Sequence, residues 1–411
     1  MAPMPAAALI ALMATGAAAL RVGSPVMMAK KPKKDVRVWL PPRSSPFARE
    51  VDAALQLVSR AAAGVGKATS AQMATVVAQA LVCDGINSEF ADDVIIAPET
   101  SASLQACDAD TQKAALELIN ELGATNPCVN AFDPPYPEPV RAAALADEAE
   151  IGAKLDLGKA TGIGPRTWVL APVTTDSEQA AVSLTLIEFG HPVVCAVALP
   201  DLPRNAMSGD KLLRMTVSFD GQSGAVAPPV GTLLWAEEGI GAYERSIGGE
   251  HGTDVRVRAD RSLIGLRNIE TGQVTGVQKF AEVTRCESAT YERAALLATQ
   301  LGMTKPALKA LGPFAYGLVA RGEAQTYFEL PDSAAEFDAN IWAHAAGSLL
   351  VTESGGVVTD TVGHELDFSM CRESRTLPPQ VLGVLVSNKD VHDDVVRQCG
   401  LATVEASANA K

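Results

Sequence analysis

The chain has 411 residues, 47% hydrophobic and 20% charged, which excludes a disordered chain and allows two or three domains or one large layered enzyme. Its formal net charge of −14 argues against duplex nucleic acid as a partner, because a phosphate backbone needs a basic surface. A small phosphate ligand stays open.

The first 34 residues stand apart from this acidic body. They hold no Asp or Glu, are rich in Ala, and end on Lys30, Lys31, Lys33 and Lys34. The apolar run Ala6 to Leu20 is shorter than the roughly 20 residues a membrane span needs. Its first basic flank, Arg21, follows the run, where a secretory signal would have basic residues in front. Residues 1–45, ending in the hinge Pro41-Pro42-Arg43-Ser44-Ser45-Pro46, are therefore expected to be a removable targeting segment and linker. A plastid address is preferred, with another organelle or secretion as alternatives. No other stretch is apolar enough to predict a membrane span. Cys83, Cys107, Cys128, Cys195, Cys286, Cys371 and Cys399 form no CxxC pair, the pattern of reduced thiols with neither a disulfide framework nor a zinc site. Cys83 and Cys195 sit in apolar runs and read as core. A redox role for Cys107 or Cys128 lacks a thiolate-stabilising neighbour.

Apolar residues recur at helical spacing over Phe47 to Val65 and over Ala71 to Asn87, followed by a short buried strand at Asp93–Ala97. Leu104 to Leu122 reads as a helix, Gly123 to Val140 as an exposed loop, and Ala142 to Leu155 as a helix with Asp147, Glu148 and Glu150 on a solvated face. Strands are predicted at Thr167–Leu170, then in a hairpin of Ala180–Phe189 and Val193–Leu199 turning at Gly190-His191-Pro192, then at Met215–Phe219, Leu233–Glu237 and Gly241–Ser246. Ile247 to Asp254 is Gly-rich but lacks the Lys-Ser/Thr and helix of a phosphate cradle. Beyond Val255 the pattern alternates: a strand at Val255–Arg258, a helix at Tyr291–Leu301, a helix or strand at Phe314–Ala320, and a strand at Gln325–Leu330. The last strand falls at Gln380–Val386, and a closing helix at Lys389–Gln398 is stopped by Gly400. This predicts an N-terminal α+β domain with a mostly antiparallel sheet at 46–254, a smaller α/β domain at 255–402, and a tail at 403–411.

Between Gln325–Leu330 and the last strand lies Asn340 to Ser369, NIWAHAAGSLLVTESGGVVTDTVGHELDFS. Small residues at Ala343 to Gly347 let a helix lie close to a neighbouring layer. The Gly355-Gly356 break then leads to a strand at Val357-Val358-Thr359, a turn at Gly363, and a second strand.

This stretch resembles the W-D-x-A-x-G signature of the magnesium-dependent phosphomonoesterases of the inositol monophosphatase superfamily. Other segments, in order and at compatible spacing, resemble its 3'(2'),5'-bisphosphate nucleotidase branch. They are Gln79-Ala80-Leu81-Val82, Ile95 to Ser101, Gly164 to Leu170, Ala181 to Leu184, Cys286-Glu287-Ser288, and Val319-Ala320-Arg321-Gly322-Glu323-Ala324. The resemblance spans Phe47 to Gln398. It implies a layered α/β fold, an αβαβα sandwich of the inositol monophosphatase/fructose-1,6-bisphosphatase type.

That family holds Mg²⁺ on Asp and Glu side chains at strand ends, and the metal activates water and neutralises charge on the transferred phosphoryl group. Here the positions matching those carboxylates read Thr75, Pro98, Ala171, Thr174 and Ala343. Ala and Pro cannot ligate a metal, and a lone threonine hydroxyl is a poor substitute for a carboxylate. The resemblance therefore predicts a pseudophosphatase with no intact catalytic residue and no cofactor. Its role would be regulatory, structural or ligand-binding, towards a protein partner or a small phosphate ligand. Remnant cleft residues would be Glu99, Thr175, Asp176, Glu178, Ser288, Tyr316 and His344. The alternative is a working phosphomonoesterase acting on 3'-phosphoadenosine 5'-phosphate or inositol phosphates through a remodelled site, with Glu99, Asp176, Glu178, Glu353 and His344 as the rescue set. Glu353 and His344 also read as structural. Elsewhere, Asp390, His392, Asp393 and Asp394 fit the acidic start of a helix better than a metal site. Glu237-Glu238 at a hairpin turn lacks a catalytic partner. The five histidines show no zinc spacing, and no G-x-S-x-G elbow occurs.

Overall fold

A computed structural model describes residues 45–125, 140, 144–175, 179–203, 231–247, 254–260, 280–283, 292–303, 308–310, 312–331 and 337–409. The targeting segment, the strand expected at Met215–Phe219, most of the Gly123–Val140 loop, Cys128 and Cys286 lie outside these residues, as do Asp176, Glu178 and Ser288.

Two helices open the fold. α1 (Ala48–Val65) buries Val51, Ala54, Leu55 and Val58. α2 (Ala71–Glu89) starts where the Ser70 hydroxyl accepts the Met73 N–H at 3.1 Å. The two lie so close that a β-carbon on Gly85 would fall 2.2 Å from Leu57. They cover one face of a seven-stranded sheet whose spatial order follows the chain: β1 (Val94–Ile96), β2 (Arg166–Thr175), β3 (Ala180–Glu188), β4 (His191–Pro203), β5 (Gly231–Glu237), β6 (Gly241–Ser246) and β7 (Val255–Arg256). β1 pairs parallel with β2, and every later neighbour pairs antiparallel.

Both faces of this sheet are buried, which is why its strands read as continuous apolar runs. Along β4, Val194, Ala196 and Ala198 join the core under α1, whereas Cys195, Val197 and Leu199 face a second core on the opposite side. That second core is filled by α7 (Gly312–Ala320) and α8 (Ile341–Glu353). Beyond them is a five-stranded sheet in the order β11 (Gly356–Asp360), β12 (Val384–Asn388), β10 (Thr326–Glu329), β8 (Phe280–Val283), β9 (Leu308–Ala310). In β10, Tyr327 faces α7 and α8, and Phe328 faces a fifth layer built from α6 (Glu292–Gln300) and α9 (His392–Asn409). Helices, sheet, helices, sheet, helices: this is the αβαβα sandwich.

Several elements differ from the sequence expectation. The helix expected at Leu104–Leu122 is two, α3 (Ser101–Gln105) and α4 (Ala109–Gly123), because Asp108 caps a fresh start by accepting the Thr111 N–H. The next helix, α5 (Glu148–Asp156), begins only after its own cap, Asp147. The β3–β4 hairpin turns at Phe189-Gly190, both at positive φ (50° and 91°), so His191 and Pro192 already belong to β4. No strand forms directly after the turn at Gly363, where a second one was expected. Glu365 makes one isolated bridge to Thr359, and Phe368–Cys371 is a 3₁₀ turn. β12 starts at Val384 instead of Gln380, and α9 passes through Gly400 without a break. Strands β8 and β9 were not anticipated; they span only 280–283 and 308–310. No helix among the described residues is long and apolar enough to cross a membrane.

Candidate functional site

A cavity of about 350 Å³ opens between the two sheets and the starts of α7 and α8. Thr75 reaches it from α2, Pro98 and Glu99 from the turn after β1, and Ala171 to Thr175 from the end of β2. Gly312 and Pro313 at the start of α7, Glu329 at the end of β10, and Asp338, Trp342 and Ala343 around the start of α8 complete the wall. All five positions matching the family carboxylates, Thr75, Pro98, Ala171, Thr174 and Ala343, thus face one space.

Local chemistry explains how each wall is held. The turn after β1 is pinned by Gln79, a fully buried amide on α2. It donates to Glu99 O at 2.7 Å and to Leu155 O at 3.1 Å, and accepts Glu99 N–H at 2.9 Å. The end of β2 is bent by one extra residue: the register runs Ala171↔Ser183, then Thr174↔Ala181, three steps on one strand against two on its partner. Such a bulge turns the strand end towards the cavity. Behind the lining, Arg375 ties two walls together, donating to Ala97 O and Gly158 O while its guanidinium lies 5.1 Å over the Trp342 ring.

The described side chains at the five family positions do not suit Mg²⁺, which demands an octahedral set of hard oxygens. Two of the five family positions are Ala and one is Pro. The Thr75 hydroxyl donates to Ala71 O at 2.9 Å within its own helix. The carboxylates among the described lining residues are Glu99, Glu329 and Asp338. Among the described residues no three His, Cys, Asp or Glu side chains gather closely enough to hold a metal.

Of the remnant residues expected from the sequence, Glu99 and Thr175 line the cavity, whereas Tyr316 and His344 do not. Both lie in the helix layer, where Tyr316 Oη and His344 Nδ1 are 3.0 Å apart and His344 Nε2 is 2.6 Å from Asp338 O. A carbonyl only accepts, so Nε2 carries the proton and Nδ1 accepts from Tyr316. Burial, followed by the nearby Glu329 charge, raises the Tyr316 hydroxyl well above its ordinary range. Glu353 is removed from the rescue set. It sits at the far end of α8, roughly 15 Å along the axis from Ala343, and accepts the Gly239 N–H at 2.9 Å. Burial raises its pKa. Two lining acids escaped the sequence reading, Glu329 and Asp338. Their only signals are an acid at a strand end before Pro331, and one two residues before the α8 cap.

The other candidates are structural. His392 is buried with one ring nitrogen 3.0 Å from Thr359 Oγ1 and the other 2.7 Å from Ser387 Oγ; burial lowers its pKa. Glu237 accepts the Ser45 hydroxyl at 2.6 Å and lies away from the cavity lining. Cys83 and Cys195 are core residues, and burial pushes the Cys195 thiol up to about 12. Burial, with the Asp108 and Glu99 charges, also raises Cys107, the wrong direction for a reactive thiolate.

Comparison with known proteins agrees with this architecture. Residues 166–399 match the model of the inositol monophosphatase family. The 3'(2'),5'-bisphosphate nucleotidase of Emericella nidulans is 30% identical over 335 residues, 78% of this chain and 84% of that protein. The corresponding protein of Schizosaccharomyces pombe is 28% identical over 79% of this chain and 82% of its own length. One from Oryza sativa is 28% identical over 59% of this chain and 62% of its own. With its five-layer sandwich and cavity between the two sheets, the chain belongs to the inositol monophosphatase family, in its 3'(2'),5'-bisphosphate nucleotidase branch.

Proposed function

We propose that this chain is a pseudophosphatase: a bisphosphate nucleotidase relative that has lost metal-dependent phosphomonoester hydrolysis and serves a plastid as a regulatory or ligand-binding protein. One observation carries the reading. The five positions where the family resemblance expects metal-holding carboxylates line a single cavity, and not one of them is an acid. Losing one ligand weakens a metal site; losing all five removes the means of activating water and of offsetting phosphoryl charge. The plastid assignment rests on the acid-free, Ala-rich first 34 residues.

A second reading has its own support. Glu99 of the rescue set lines the same cavity together with Glu329 and Asp338, acids on which a remodelled phosphatase could draw. The two readings part in one assay: full-length protein incubated with 3'-phosphoadenosine 5'-phosphate and with inositol 1-phosphate in millimolar Mg²⁺. The pseudophosphatase reading expects phosphate release at the no-protein rate. Release at ordinary turnover, on the order of 1–10³ per second, would overturn it.

A further inference from the structure

One imidazole ties the start of α9 to two strands of the five-stranded sheet. His392, the first residue of the helix, is buried, and each of its ring nitrogens meets a hydroxyl. Nε2 lies 3.0 Å from Thr359 Oγ1 of β11, and Nδ1 lies 2.7 Å from Ser387 Oγ of β12. A hydroxyl has one proton to give. Thr359 gives its proton to Asp360 O at 2.9 Å, so its oxygen accepts the Nε2–H. Ser387 Oγ lies closer to Nδ1 than to Asn388 O, which is 3.1 Å away, so its proton goes to the ring. Every proton then has an acceptor, provided the imidazole is neutral. A second ring proton, on Nδ1, would collide with the Ser387 O–H until that hydroxyl turned away to Asn388 O.

Among the described residues, no charged group hydrogen-bonds to the ring. On β11, the Asp360 carboxylate is engaged by the Val362 and His364 N–H groups and lies 3.4 Å from His364 Nδ1. Ser387 and Asn388 of β12 are uncharged, and Lys389 and Asp390 after them are exposed. α6 and β10 join the core beneath α9 through Ala294, Leu297, Ala298, Phe328 and Leu330, all apolar. Arg293 of α6 donates to Pro331 O. On α9 itself, Asp393 and Asp394 are exposed, and Asp394 accepts from Arg397 at 2.7 Å. The N-terminal end of a helix also disfavours a cation. Burial accordingly lowers the His392 pKa, with the Asp393 charge opposing it.

We propose that His392 is an acid-sensitive latch: neutral, it fixes the start of α9 against β11 and β12, and protonated, it lets that end of the helix come away from the sheet. The inference is independent of whether the cavity is catalytic. It places the device one layer behind that cavity, because β10 packs Phe328 against α9 and lines the cavity with Glu329. A histidine whose pKa is lowered by folding contributes stability that is fully present above the unfolded value, about 6.5, and is lost as pH falls through the folded one.

The test is hydrogen exchange of the full chain read by mass spectrometry, at about pH 7.5 and about pH 5, with rates corrected for the intrinsic effect of pH. We expect peptides covering 391–400 to lose about tenfold or more of their protection at the lower pH, while those covering α1 keep theirs. In His392→Gln, whose amide can bond to both hydroxyls without titrating, protection of 391–400 should be the same at both values. Asp393→Asn removes an exposed charge that favours the cation, so the midpoint of the loss should move to lower pH. Equal loss in the parent and in His392→Gln, or in α1 and α9 alike, would mean general acid unfolding and would overturn the proposal. Protection at 391–400 that does not change with pH would do the same. Should His392→Gln fail to fold by circular dichroism, the Asp393→Asn midpoint decides: a shift to lower pH supports the latch, and an unmoved or raised midpoint overturns it.

Discussion

A β-carbon on Gly347 would fall 2.3 Å from Tyr316 Cγ, so the closeness of α7 and α8 depends on that glycine. Gly347→Ala is expected to cost about 1–3 kcal/mol as overpacking, read as a lower denaturant midpoint at unchanged slope. Tyr316→Phe leaves the buried His344 Nδ1 without its donor and is expected to cost about 1–3 kcal/mol; a stability unchanged from the parent would argue against this hydrogen bond. Glu237 supplies a pH test. Burial raises its pKa above the unfolded value, against the lowering effect of the Ser45 and Phe47 donors. A raised carboxylate contributes stability that is fully present below the unfolded pKa and lost as pH rises through the folded one. Glu237→Gln is therefore expected to be more stable than the parent at pH 7, with the gap closing as pH falls towards the ordinary carboxylate range. Melting curves across that interval check the sign.

At the scale of elements, caps and apolar runs set the boundaries. Ser70→Ala removes the acceptor of the Met73 N–H and is expected to cost about 1 kcal/mol, measured by chemical denaturation. The long elements were legible because their periodicity is strong: α1 has one apolar face, and β3 and β4 are buried on both. Boundaries set by one side chain were not. Asp108 restarts a helix and Asp147 delays the start of one inside what reads as continuous helical pattern, and an exposed Gly400 is tolerated by α9 because nothing there requires positive φ. Strands β8 and β9 are too short to carry a period and exist through parallel pairing with each other and with β10. In the cavity, Thr75, Pro98, Ala171, Thr174 and Ala343 were found because each occupies a motif position. Glu329 and Asp338 belong to no motif, and only the meeting of a strand end with a helix start brings them there. The bulge at the end of β2 was equally hidden, since Pro172 gives no sign of which way the chain bends.

For the whole molecule, the five-layer sandwich holds the cavity walls in place independently of what lines them. Two cores, one on each face of the seven-stranded sheet, fix the end of β2, and the α7–α8 layer fixes the start of α8. The cavity therefore keeps its shape with Thr75, Pro98, Ala171, Thr174 and Ala343 at the five family positions. It follows that Ala343→Asp alone should restore no hydrolysis, because one carboxylate cannot assemble an octahedral site; phosphate release by that single variant would show that the remaining lining is competent. The central claim, that the lining no longer holds a catalytic metal, is tested most directly by titrating Mn²⁺ as a Mg²⁺ surrogate into the full chain with 3'-phosphoadenosine 5'-phosphate present, followed by electron paramagnetic resonance. The account predicts a free-ion signal that grows in proportion to added metal at micromolar concentrations. Stoichiometric loss of that signal, accompanied by phosphate release, would contradict it.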